Sequence, residues 1–254
     1  MGKTANIKAI IVDLDRTLLR SDKTVSEYTV EVLRACREKG ITIIVATARP
    51  WRTAMQYCRQ IACDMVVVSN GARVLYGGLQ TDHGIRGESA VQVLQALTHH
   101  SDLRITVETG EVAYSNVPIA DYETTLSDDL IGIAKTEGAL KILVGLDREE
   151  TLGIVVSALT EDLYYTVANG HLLQIMSRSA TKWKGIQTVL ERCQCDPKDA
   201  VYFGDDQDDL EPIRMCGVGV AVSNGIEEVK GTADYIAESN DDDGVAKWIA
   251  QMVL

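Results

Sequence analysis

Residues 7–19, Ile7-Lys8-Ala9-Ile10-Ile11-Val12-Asp13-Leu14-Asp15-Arg16-Thr17-Leu18-Leu19, constrain the fold more than any other stretch of the chain. Ala9 to Val12 are apolar on both parities. A strand with one face in a core alternates, so this run reads as a strand buried on both faces, central in a parallel sheet. It ends in two acids, one residue apart. Strand residues two apart point the same way, so Asp13 and Asp15 leave the carboxyl end of the strand together. Two carboxylates that close repel, and a buried pair is costly without a cation or a shared proton. In an open α/β sheet the carboxyl edge is where ligands bind.

The alternation continues. Ser26 and Thr24-x-x-Glu27 offer caps for a helix carrying Val30, Leu33 and Cys36, which Gly40 stops. Ile41 to Ala46 is a second buried strand that runs into Thr47-Ala48-Arg49-Pro50. Trp51 to Ala62 reads as a helix begun at Pro50, and Met65 to Val68 as a third strand ending at the turn signal Ser69-Asn70-Gly71. Strand and helix alternating at this pitch predict a doubly wound, Rossmann-like parallel sheet. Hydrophobic residues make up 46% of the chain with a single Phe, so the core must be aliphatic.

The texture then changes. Ala72 to Leu79, with Gly77-Gly78, is expected to form a hairpin leaving the sheet. Gly87 to His100 reads as a helix, Leu103 to Val107 and Glu111 to Tyr114 as strands, and Val117 to Glu137 as a polar stretch without assignment. Leu140 to Val144 reads as a strand and Arg148 to Leu159 as a helix. Leu163 to Ala168 should pair across Asn169-Gly170 with His171 to Met176, a strong hairpin signal. Residues 83–179 therefore read as an inserted α+β domain, splitting a core of 1–82 and 180–254. From Ser179 the alternation resumes, with a helix over Trp183 to Cys193, a strand over Ala200 to Phe203 and a helix over Asp206 to Met215. A strand over Gly217 to Val222, a short strand at Tyr235-Ile236 and a closing helix from Gly244 complete it. The run Asp241-Asp242-Asp243 is expected to be solvated.

The net charge of −12 argues against nucleic acid or an anionic membrane as partner. It would also repel an anionic substrate unless a cation neutralised acids where that substrate binds. Six scattered cysteines without a CxxC pair fit reduced thiols better than a disulfide frame or a zinc site. The first apolar run is too short for a signal peptide and none reaches membrane-spanning length. A cytoplasmic protein is expected.

A second acidic cluster, Gly204-Asp205-Asp206-Gln207-Asp208-Asp209, also follows a strand. A helix start explains Asp206 and Gln207, but not four acids in five residues without a counter-charge. Two acid clusters at carboxyl ends of strands in one sheet make an oxygen-rich site for a hard divalent ion, Mg²⁺ above all. Thr47 ends the second strand, where a hydroxyl and backbone amides bind anions, and Lys182 opens the helix returning from the insert. Carboxylate pair, hydroxyl, lysine and metal acids together supply the parts for phosphoryl transfer through an aspartyl-phosphate.

The ordered series Asp13-x-Asp15-x-Thr17, Thr47, Lys182 and Gly204-Asp205-x-x-x-Asp209 resembles the four motifs of the haloacid dehalogenase-like (HAD) phosphohydrolases. The insert, between the second and third motifs, resembles the type IIB cap of the Cof-type subfamily. Asn70-Gly71-Ala72, Ser223-Asn224-Gly225 and Asn240-Asp241-Asp242-Asp243-Gly244-Val245 match further. The resemblance implies that Asp13 is the nucleophile and Asp15 the general acid, later base. It implies Mg²⁺ held by the Asp13 carboxylate, the Asp15 carbonyl oxygen and Asp205, with Asp209 as ligand or support. Thr47 and Lys182 would grip the phosphoryl group, with help from Asn224.

The substrate class so implied is a small phosphorylated metabolite, a sugar phosphate or similar phosphomonoester, acted on by a monomer or homodimer. A phosphomutase of the phosphomannomutase type and a non-catalytic phospho-ligand sensor remain alternatives. A signalling receiver fits poorly, because receivers are small single domains. Arg16 stands where the first motif usually has glycine, Ala48 where glycine follows Thr47, and Asp208 where Asn is typical. Lys184, which precedes a glycine, is the alternative third-motif lysine. Arg49, His83, Glu108 and Arg178 are expected to be solvated.

Overall fold

The aliphatic run at the start of the chain forms a strand with every residue buried, and the rest of the larger sheet is laid out from it. The computed structural model describes residues 7–119, 122–168 and 170–254. The first elements are β1 (Ala9–Val12), α1 (Glu27–Glu38), β2 (Thr42–Ala46), α2 (Trp51–Gln60), β3 (Met65–Val68), β4 (Arg73–Tyr76) and β5 (Leu79–Asp82). Then come α3 (Gly87–Thr98), β6 (Ile105–Glu108), β7 (Ala113–Ser115), β8 (Thr125–Leu126), α4 (Leu130–Glu137), β9 (Lys141–Gly145), α5 (Thr151–Ala158), β10 (Leu163–Ala168) and β11 (Leu172–Ser177). The chain closes with α6 (Lys182–Arg192), β12 (Ala200–Gly204), α7 (Leu210–Met215), β13 (Val218–Val222), α8 (Glu227–Thr232), β14 (Tyr235–Ala237) and α9 (Gly244–Met252). It divides into two units, residues up to Thr81 with Thr181–Leu254, and Asp82–Ala180.

In the first unit the strand order is β14-β13-β12-β1-β2-β3-β4-β5 among the described residues. The strands from β14 to β3 are parallel. Ile10, Val12, Ile43, Val45 and Phe203 face one hydrophobic cluster with α1, α2 and α9, while Ala9, Ile11, Ile44, Ala46 and Tyr202 face another with α6 and α7. Two covered faces explain the apolar residues on both parities. The segment expected to leave the sheet instead extends it, because β4 pairs antiparallel with β3, Met65 opposite Tyr76. Ser26 caps α1, its side chain accepting from the Thr29 amide. The acids at 241–243 are not merely solvated. Asp243 pairs with Arg20 at 2.6 Å and Asp241 accepts from the Ser21 amide and hydroxyl.

The second unit is an α+β sandwich with strand order β10-β11-β9-β6-β7-β8 among the described residues. Val93, Leu94 and Leu97 of α3, Ala134 of α4 and Val155 of α5 pack with Ile105, Val107, Ile142, Val144 and Ile175. The stretch left unassigned in the sequence holds β8 and α4, the helix capped by the Asp129 side chain on the Gly132 amide. Its periodicity was hidden by a helix of only eight residues. β10 and β11 pair antiparallel as expected, Ala168 opposite Leu172. Of the expected Asn-Gly turn, Gly170 has the φ of +72° that favours glycine, while Asn169 lies outside the described residues. Glu108 is buried, not solvated. It accepts from the Tyr122 hydroxyl and stands opposite Lys141, whose ammonium donates to Gln174 at 2.8 Å. No helix among the described residues is long and apolar enough to cross a membrane.

In the first unit, α6 is brought against the sheet by Gly71, whose φ is +90° and where a Cβ would lie 2.1 Å from the Thr181 carbonyl oxygen. Gly71→Ala combines a left-handed backbone with that overlap. Urea denaturation should show a loss of about 3 kcal/mol or more; unchanged stability would mean that α6 is not seated as described.

Candidate active site

β1 and β12 are parallel neighbours with Val12 opposite Phe203, and the Asp13 amide continues the ladder to the Phe203 carbonyl at 3.0 Å. Asp13 and the Gly204-Asp205 turn thus leave adjacent strands side by side. The turn is tight because a Cβ on Gly204 would lie 2.5 Å from the Asp209 side chain. Asp13, Asp205 and Asp209 each offer a carboxylate oxygen, all within 4.8 Å of one another, and all three residues are buried.

One ammonium reaches two of these three acids directly. Lys182, in the first turn of α6 behind its Thr181 cap, places Nζ 3.0 Å from Asp13 Oδ1 and 2.6 Å from Asp209 Oδ1. Lys184, two residues on, is exposed where Lys182 is buried. Burial works against the Lys182 charge, but Asp13, Asp209 and Asp208 outweigh it and hold the ammonium protonated. Burial pushes the Asp13 carboxyl well up, against the pull of Lys182, and Asp209 and Asp205 push it further. Burial and then Asp209 raise Asp205 to about 6. Three buried acids with one buried ammonium, and an exposed guanidinium (Arg16) 3.7 Å from Asp205, remain under-compensated, and an all-oxygen set suits a hard divalent ion. The donors present therefore fit Mg²⁺.

The roles of the three acids differ. Asp209 Oδ1 accepts from Lys182 and from the Tyr202 hydroxyl, and its Oδ2 accepts from the amides of Asp205 and Asp206 at 2.8 and 3.0 Å. Its lone pairs are spoken for, so Asp209 fits a support that orients Lys182 and the Asp205 turn, more than a ligand. Asp206 is the helix start it resembled, its carboxylate accepting from the Gln207 amide. Asp208 accepts from the Asn70 side chain.

Asp15 points elsewhere. Arg49 grips its carboxylate through two bonds, at 2.5 and 2.7 Å, and Lys23 adds a third at 2.8 Å. Burial opposes ionisation here, but these partners win and hold the carboxyl below its ordinary range. Arg49, expected to be solvated, is instead half-buried over the Tyr57 ring. Thr47 is buried at the end of β2, its hydroxyl accepting from the Arg49 amide at 3.2 Å. Asn224 is committed at both ends of its amide: Nδ2 donates to the Arg16 carbonyl at 2.7 Å, and Oδ1 accepts from the Asn240 amide at 3.0 Å. That makes it a brace between loops. Asn240 in turn donates to the Leu19 carbonyl at 2.8 Å.

Tyr202 escaped the sequence reading, since a Tyr inside a buried strand looks like packing. Its one signal was a hydroxyl in a run otherwise apolar. Tyr202→Phe leaves the ring and removes the bond to Asp209. A loss of about 2 kcal/mol in denaturant unfolding is expected, in line with a hydrogen bond to a charged group, whereas an unchanged midpoint would mean Asp209 is held without it.

Residues 10–249 match the model of the haloacid dehalogenase-like hydrolase family. The chain is 26% identical over 267 residues to the 5-amino-6-(5-phospho-D-ribitylamino)uracil phosphatase YitU of Bacillus subtilis, covering 95% of this chain and 96% of that protein. A haloacid dehalogenase-like hydrolase from Bacteroides thetaiotaomicron superposes with a TM-score of 0.87 at 22% identity, over 96% of this chain and 99% of that one. The HAD subclass IIB sugar phosphatase BT4131 superposes at 0.79 and 21% identity, over 96% and 98%. The chain belongs to the haloacid dehalogenase-like hydrolase family.

Proposed function

We propose that the protein is a cytoplasmic, Mg²⁺-dependent phosphatase that hydrolyses a small phosphorylated metabolite through a phosphoryl group carried on Asp13. The observation that carries this reading is the buried group of Asp13, Asp205 and Asp209 around the Lys182 ammonium. The activities named for two similar proteins, a phosphatase of a phosphoribitylamino-uracil and a sugar phosphatase, support a polyhydroxylated phosphomonoester as substrate class. The first unit then acts as the catalytic core and residues 83–179 as the cap that selects the leaving group. The net charge of −12 speaks against nucleic acid or membrane partners, and the active species is a monomer or homodimer.

Asp13 is the group that attacks phosphorus in line, with Lys182 orienting its carboxylate and offsetting charge on the transferring phosphoryl group. Thr47, at the end of the neighbouring strand, donates its hydroxyl to a phosphoryl oxygen. Mg²⁺, held by the carboxylates of Asp13 and Asp205 and the Asp15 carbonyl oxygen, would supply positive charge against the anionic substrate. As the phosphorus–oxygen bond of the ester breaks, Asp15 gives the departing oxygen a proton. Asp15 then takes a proton from the water that attacks the phosphoaspartate, releasing phosphate and restoring Asp13. In the arrangement seen, Arg49 and Lys23 hold Asp15 ionised, so acid catalysis requires that this ion pair open first.

Turnover of p-nitrophenyl phosphate tests the assignment. Asp13→Asn should lower kcat by about 10³-fold or more, the scale on which removing a nucleophile acts, and chelation of Mg²⁺ should silence the wild type. Undiminished turnover in the variant would refute Asp13 as nucleophile. Arg49→Ala should shift the alkaline limb of the pH–rate profile upward, because the general acid Asp15 loses a partner that depresses its pKa and so stays protonated to higher pH; an unmoved limb would separate Asp15 from the acid step.

A further inference from the structure

Arg16 occupies the position where the family motif ordinarily has glycine, and its backbone shows why glycine suits it. Its φ is +60°, a left-handed conformation that L side chains rarely adopt. Strained backbone of this kind persists where surrounding contacts impose it, and it concentrates at functional sites. Glycine would meet the backbone requirement without strain. It would also keep the bond from Asn224 Nδ2, which uses the Arg16 carbonyl and not its side chain. What this chain gains from arginine is therefore the guanidinium and where it lies. Nη2 donates to the Asn224 carbonyl at 3.0 Å, and Nε stands 3.7 Å from Asp205 Oδ2. Asp205 Oδ1 already accepts from the Thr17 hydroxyl at 3.0 Å. Oδ2 is thus the oxygen left to meet a cation, and Arg16 attends it. The Arg16 side chain is 57% exposed, so it has room to withdraw.

We propose that Arg16 is a positioning residue that partly neutralises Asp205 and thereby weakens the hold of the site on Mg²⁺. The proposal rests on the metal reading of Asp13 and Asp205 given above. A guanidinium stays charged at any working pH, so a dication that binds Asp205 does so beside a fixed like charge, or after displacing it. The chain accordingly needs a higher Mg²⁺ concentration than the same site would with glycine, and its Asp205 is less exposed to repulsion from Asp13 and Asp209 when no dication is bound.

Isothermal titration of MgCl₂ into the wild type, Arg16→Gln, Arg16→Gly and Arg16→Lys, each at two KCl concentrations, tests this. Gln keeps a long side chain and an amide donor for the Asn224 carbonyl without the charge, and Lys keeps the charge. Gln and Gly should bind Mg²⁺ about three- to tenfold more tightly than wild type, the effect of removing a nearby unit charge. Lys should stay within about twofold, and the gap between Gln and wild type should narrow as KCl rises. Equal affinities of Gln and wild type would overturn the proposal, as would tightening in Gly alone, which would trace to strain relief, or in Lys as much as in Gln. A wild type that binds no Mg²⁺ would remove the metal reading itself and the proposal with it; Mg²⁺ binding that is indifferent to Arg16 would remove only the proposal.

Discussion

Three carboxylates buried together, with one lysine reaching two of them, make the interaction on which the rest of the structure depends. Burying even one unpaired charge costs several kcal/mol, so such a cluster is tolerated only where folding energy elsewhere is ample and where something gains from it. The energy comes from a sheet covered on both faces, with β1 at its centre and aliphatic side chains packed on either side. The parallel register of β1 and β12 then sets the juxtaposition: Val12 stands opposite Phe203, so Asp13 leaves level with Gly204 and Asp205 follows one residue beyond. Lys182 arrives from a helix that Gly71 allows to approach closely. Each half of the site is thus a consequence of how a different part of the core is packed.

Division of labour within the cluster follows from counting lone pairs. Asp209 spends all of its own on Lys182, Tyr202 and two backbone amides, and in doing so fixes the turn that carries Asp205. Asp13 receives one bond from Lys182 and keeps an oxygen for other work. Asp15, only two residues on, is removed from the cluster by Arg49 and Lys23. Placing the second acid in an ion pair keeps it from adding a fourth charge to the first three. The loops around the site are cross-braced in the same economical way, through Asn224 to Arg16 and Asn240, and through Asn240 to Leu19.

Much of this was legible in the sequence for a physical reason: parallel strands buried on both faces write themselves as unbroken aliphatic runs, and acids directly after such runs have nowhere to go but the carboxyl edge. The runs at Ala9, Ile43 and Val201 were of this kind, and so were Asp13 and Asp205. What escaped depends on tertiary partners that leave no local pattern. Nothing near Arg49 says that its guanidinium meets Asp15, thirty-four residues earlier. Tyr202 hides in a strand, and β4 looks like a departing hairpin because nothing local to it shows that it pairs antiparallel with β3 inside the sheet. In the second unit, β8 has two residues and α4 eight, too short for periodicity to speak. The acids at 241–243 looked solvated because Arg20 and Ser21, their partners, lie more than two hundred residues away.

The central claim, that two distant acid clusters form one cation site at the edge of the first unit's sheet, is tested most directly by thermal unfolding at neutral pH as Mg²⁺ is added. A ligand that binds only the folded state raises Tm in a saturable way. The wild type should show that rise and Asp205→Asn should lose most of it, since removing one charge also relieves the repulsion that the ion would otherwise answer. A wild-type Tm indifferent to Mg²⁺, or a rise of equal size in Asp205→Asn, would contradict it.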